Sequence, residues 1–281
     1  MKELALKNLR NFIPLFLLSM TVHTEVPTFL RRYPVWQGFW KYNWVSKFLL
    51  VVAMILGFSS LGKLTSWWSG ADTSTMLGFA GSVTDLAQDF GSTAYGLLAD
   101  GGMKYVILLL VEVLIFHATY KTLDIITEEK HPEPALDDFI RAERRMFEIV
   151  IRSWVLELLV MIAVGAILGI IGLDILENSI HILVQCYFLG LAVIDNYHEH
   201  RGRTIRQSYA ITHQVIGLAF GVGLILYLLL MIPLVGVIIG PLVASVAATL
   251  AMNDVERNWD LDIVIPPKKE KRKRKKRTKV A

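Results

Sequence analysis

From Val215 to Met252 the chain runs thirty-eight residues without a charged side chain. As one straight helix, rising about 1.5 Å per residue, this stretch would be about 57 Å long. The hydrocarbon core of a bilayer is only about 30 Å thick, so the stretch has to fold back on itself. Its middle holds Pro233, Gly236, Gly240 and Pro241, which favour turns and break helices, with only Leu, Val and Ile between them. A turn in water is normally polar; one this apolar belongs in lipid or in packed protein. The expectation is a helical hairpin turning over Pro233, Gly236, Gly240 and Pro241.

The rest of the chain has the same character. Apolar residues make up 54% of its 281 positions, against about 45–50% in soluble domains. An all-α integral membrane protein is therefore expected. Two long transmembrane helices are placed at residues 44–62 and 103–126. Two shorter hairpins follow, from 153–173 with 180–194 and from the charge-free stretch. Residues 180–194 and 242–252 fall short of the roughly 20 residues that a full span needs, which favours partial penetration. Residues 1–43 read as an interfacial segment: Lys2, Lys7 and Arg10 precede a short apolar run broken by Pro14, and Arg31 and Arg32 are followed by Trp36, Trp40 and Trp44. No small-x-small cleavage site follows that run, so it is expected to stay on the chain. The membrane domain covers 44–256. Within it, 63–102 is rich in Ser, Gly and Asp and is assigned to the outer face.

Positive loops at 31–47, 121–152, 201–206 and 257–279 place both termini in the cytoplasm. Residues 268–281 carry ten Lys/Arg and one Glu, so the basic charge belongs to this tail while the body is acidic. Such a tail suits anionic lipid headgroups. It has no interleaved aromatic residues, and nucleic acid is not an expected partner. Gly165/Gly169, Gly217/Gly221 and Gly236/Gly240 have the spacing that lets helix backbones approach in lipid, in hairpins or oligomers.

Ionisable groups inside apolar segments are costly and become candidates for function. Glu112 and Glu157 are the carboxylates so placed, Glu112 well inside its segment and Glu157, like His117 and His181, nearer a segment end; pairing within the bundle or reaching an interface is the competing role. Arg141, Arg144, Arg145 and Arg152 fall on one face of the helix before the third apolar segment. With Lys41 and Lys47 they are the candidate anion-binding or pathway residues, since guanidinium matches oxyanion geometry. The competing role is topology anchoring with Glu143 and Glu148. His198 and His200 in the 195–200 cap point to different helix faces, so no metal and no cofactor is expected. Nucleophile-elbow, P-loop and dinucleotide motifs are absent from the sequence, and no enzymatic activity is expected.

Residues 139–256 resemble the CysZ sulfate-permease family, bacterial relatives of the etoposide-induced membrane proteins. The resemblance lies in the order of a basic helix (139–152), a hydrophobic pair ending in Leu191-Ala-Val-Ile-Asp-Asn-Tyr-His198, a basic amphipathic helix (203–213) and the Ile232-Pro-Leu hairpin closing at Pro241. It implies a bacterial inner-membrane protein with partly penetrating hairpins, assembled as a homo-oligomer and passing a small oxyanion such as sulfate. Gly38-Phe39-Trp40-Lys41 stands where the permeases carry a Gly-Leu-Arg type of stretch, and Gly236 where the hairpin often has Asn. The alternative is a non-transporting assembly or envelope-interaction protein that works through 63–102 and the tail.

Overall fold

The computed structural model describes residues 2–36, 69–70, 74–75, 84, 103–128, 134–232, 235–259 and 265–267. Lys41, Lys47, Pro233, the apolar run 44–62, most of 63–102 and the tail 268–281 lie outside the described residues. The main elements are α1 (Lys2–Arg32), α2 (Met103–Thr127), α3 (Leu136–Ile171), α4 (Glu177–His200), α5 (Ile205–Thr212), α6 (Ile216–Leu230) and α7 (Val235–Asn258). Short 3-10 turns at Asp174–Leu176 and His213–Val215 join α3 to α4 and α5 to α6. The described residues are all-helical. Six of their helical segments are long and apolar enough to cross a membrane, which fits a multi-pass membrane protein.

Four expectations change. The N-terminal segment is one 31-residue helix running through Pro14 and Pro27, and its Arg10–Arg32 part is itself a candidate span. Both prolines sit on its exposed side. The basic helix and the third apolar segment are one 36-residue helix, α3. The fourth segment extends to His200 and reaches 24 residues, because the polar side chains of its last turns find partners. Lastly, the turn of the charge-free hairpin is tighter than its Pro and Gly residues suggest. Helix α6 ends at Leu230 and α7 starts at Val235, so Gly236, Gly240 and Pro241 lie inside α7. A proline in a helix forfeits one backbone hydrogen bond; here the helix accommodates it.

Glycines explain how α7 and its neighbours fit together. A Cβ added to Gly236 would strike the Leu229 carbonyl, and one at Gly240 would press on Leu226 and Leu229. These two glycines seat α7 on α6 instead of making the turn. Gly217 and Gly221 admit α1, meeting the Phe12 carbonyl and Ser19. Helices α4 and α6 approach closest of all. Gly190 lies against the Ala219 carbonyl and the Gly223 amide, and Gly223 against the Cys186 carbonyl. Gly165 meets only the flexible Glu177 side chain, and Gly169 is exposed. Around these crossings Leu189, Leu191, Ile194, Leu218, Val222, Leu226, Ala244, Ala247 and Ala251 form one core that also takes in α1 and α2 residues. By contrast α3 is largely exposed from Trp154 to Ile171, with apolar side chains suited to lipid.

The helix ends are locally encoded. Asp138 accepts a hydrogen bond from the Ala135 amide at 2.9 Å at the start of α3, which places acid at the positive end of the helix dipole. Gly172, with φ +70°, ends α3 in the left-handed conformation that favours glycine. Thr204 and Gln207 form a reciprocal capping box on α5. The Gln207 amide then donates to the Pro266 carbonyl at 2.7 Å, tying the segment beyond α7 back onto α5.

Candidate functional site

Helices α2, α3 and α4 bring the ionisable side chains together in three groups. The first joins α2 to α3. Lys104 Nζ donates to Glu157 Oε1 at 2.6 Å, and the Tyr105 hydroxyl donates to Glu157 Oε2 at 2.6 Å. The Lys104 and Glu157 side chains are 0% and 2% exposed. One turn earlier on α3, Ser153 Oγ lies 2.9 Å from the Tyr209 hydroxyl of α5. Glu157 is thus fully committed to a cation and a phenol. Its partner was not legible in the sequence, where a lysine at the start of an apolar run reads as an interface anchor.

The second group centres on Arg145. Its Nε and Nη2 donate to the two oxygens of Asp195 at 2.7 and 2.8 Å, a bidentate pair, and its Nη1 donates to the Arg203 carbonyl at 2.6 Å. Glu199 lies 3.7 Å away. Arg203 extends the network by donating to Glu256 of α7 and to His198 Nδ1. Since a guanidinium only donates, Nδ1 must accept, and the His198 proton sits on Nε2, 3.3 Å from Thr212 Oγ1. The Tyr197 hydroxyl donates to Glu256 at 2.9 Å and accepts from Arg201 at 3.2 Å. This lattice of paired groups is what lets α4 continue as helix through Asp195–His200. His198 and His200 diverge, the latter reaching the Phe116 carbonyl at 3.3 Å. Among the described residues no group of three or more His, Cys, Asp or Glu is placed to hold a metal ion.

The arginine face of α3 does not act as one cluster. Arg145 turns inward to Asp195, Arg141 pairs with Asp138 at 2.8 Å, Arg152 pairs with Glu148, and Arg144 is exposed. The helical offsets align the four Cα positions, but three of the side chains follow three different acids. Sequence reading also missed Arg201, which a loop position made look like a topology anchor. Arg141 and Arg201 share the walls of a cavity of about 280 Å³ with Asp138, Glu199 and His200, and Phe116, Tyr120 and Leu123 supply apolar surface.

The third group is Glu112. It is 1% exposed, and its two oxygens have no aligned hydrogen-bond partner among the described residues. The Asn196 amide of α4 faces it, with Glu199, Glu143 and Asp195 in the same neighbourhood. His117, by contrast, reaches the Val35 carbonyl at 3.2 Å, and His181 lies 3.7 Å from Glu177. No protein-family model, curated protein or solved structure matches this chain.

Proposed function

We propose that this protein passes a small inorganic oxyanion, sulfate being the anion to test, across a bacterial inner membrane as a permease or channel. The observation that carries the proposal is the cavity where Arg141 and Arg201 meet open space beside apolar rings, among helices that are themselves apolar enough to span a bilayer. The resemblance of 139–256 to sulfate permeases supports the same reading. Arg145 is removed from the pathway by its bidentate carboxylate. The anion instead competes with Asp138 for Arg141 and meets Arg201, which lines the same cavity while donating to Tyr197 and Asn253. Lys41 and Lys47 remain candidates for drawing the anion in.

In this reading the C-terminal end of α7 faces the cytoplasm, the exposed apolar face of α3 serves lipid or a second copy of the chain in a homo-oligomer, and the basic tail rests on anionic headgroups. Calorimetry on the detergent-solubilised full chain tests the cavity directly. Sulfate should bind, and Arg141→Gln with Arg201→Gln should weaken it by about tenfold or more, the loss of two charge-assisted contacts. Binding unchanged in the double variant removes these arginines from the site. Absence of binding in the wild-type chain favours the assembly or envelope-interaction role.

A further inference from the structure

Glu112 is a buried ionisable group that the anion pathway leaves unused. Among the described residues Arg145 is the cation in its neighbourhood, and it is engaged with Asp195 and the Arg203 carbonyl. Around Glu112 the ionisable groups of the packed helices are mostly acids. Helix α4 presents Asp195 and Glu199, and α3 presents Glu143 beside Arg145. On α2 itself His117 turns to the Val35 carbonyl. Helix α7 packs along α2 with no ionisable side chain between Val235 and Asn253. An ionised carboxylate without a counter-ion in this setting is strongly disfavoured, because burial removes its hydration. Something positive must join it.

A metal cation is a poor fit. The oxygens that meet there are those of Glu112 and of the Asn196 amide, whereas a hard cation commonly takes about six. A proton needs only one. We infer that Glu112 and Asn196 form a proton-binding site, in which Glu112 is held as the neutral acid and its proton exchanges through the cavity bounded by Phe116 and Glu199. Phe116 lies one turn beyond Glu112 on α2, and Glu199 lies about one turn beyond Asn196 on α4, so the cavity wall adjoins the pair on both helices. Glu112 carries this proton whether or not the protein moves an anion.

Infrared difference spectroscopy on the full-length protein in lipid vesicles tests this at neutral pH. The wild-type protein should show the carbonyl stretch of a buried protonated carboxylic acid, shifted in D₂O, and Glu112→Gln should remove that band. Glutamine has nearly the shape of the neutral acid, so this variant should retain the wild-type fold. Asn196→Ala, which leaves Glu112 in place, should shift the band without removing it, and Glu199→Gln should slow its deuterium shift. A wild-type protein without the band, or a band that survives Glu112→Gln, overturns the assignment. If Glu112→Gln does not fold, a band unmoved in Asn196→Ala overturns it equally.

Discussion

Lys104→Met destabilises the protein by about 3–5 kcal/mol, measured as the shift in an unfolding titration in detergent micelles. The substitution leaves Glu157 buried beside α2 with Tyr105 as its remaining partner, and an uncompensated buried charge costs about that much. The sign of the companion result is what makes the test specific. Lys104→Met combined with Glu157→Met removes both charges and leaves two apolar side chains of similar reach between α2 and α3. Replacing a whole buried pair in this way is commonly neutral, or stabilising by about 1–4 kcal/mol. The double variant should therefore recover most of the loss, with the orphaned Tyr105 hydroxyl accounting for about 1 kcal/mol of deficit. Additive losses would mean that the two side chains contribute separately and that their 2.6 Å contact carries no coupling.

The second large effect belongs to Gly223. Its missing side chain is where the backbone carbonyl of Cys186 sits, and Gly190 answers from α4 by leaving room for the Ala219 carbonyl. A methyl group at either position meets backbone rather than a side chain that could swing away. Overpacking of a filled core costs about 1–3 kcal/mol, and backbone against backbone lies at the top of that range. Gly223→Ala should thus lower stability by about 3 kcal/mol, and Gly223→Leu should fail to fold. Gly165→Ala is the control. There the added methyl meets only the end of the Glu177 side chain, and removal of a helical glycine gains about 0.5–1 kcal/mol. Equal responses at 165 and 223 would contradict the close α4–α6 approach.

These crossings show what can and cannot be read from a sequence of this kind. The apolar runs are legible: α2 spans Met103–Thr127 against an expected 103–126, and the short polar link before α4 is the 3-10 turn at Asp174–Leu176. Runs of this type are fixed by the need to satisfy backbone groups away from water. Breakers are less legible. Pro14, Pro27 and Pro241 all lie within helices, because a proline's cost is one hydrogen bond while the surrounding helix gains many packing contacts. Glycine spacing gave part of the answer. Gly217 and Gly221 do admit a neighbouring helix, but Gly190 and Gly223, which bring α4 and α6 into backbone contact, do not share the Gly-x-x-x-Gly spacing.

Charge partners are least legible. Glu112 and Glu157 both stand out as carboxylates in apolar runs, yet Glu157 is paired with Lys104 while Glu112 faces an amide. The four arginines of α3 share a face by periodicity, but their acids come from α3 itself in two cases and from α4 in another. Tertiary packing decides these pairings.

Uptake of radiolabelled sulfate into proteoliposomes holding the full-length protein tests the anion reading most directly. An imposed sulfate gradient should fill these vesicles faster than protein-free vesicles of the same lipid, and excess unlabelled sulfate should suppress the labelled flux. Identical filling rates with and without the protein, at every gradient, would contradict it.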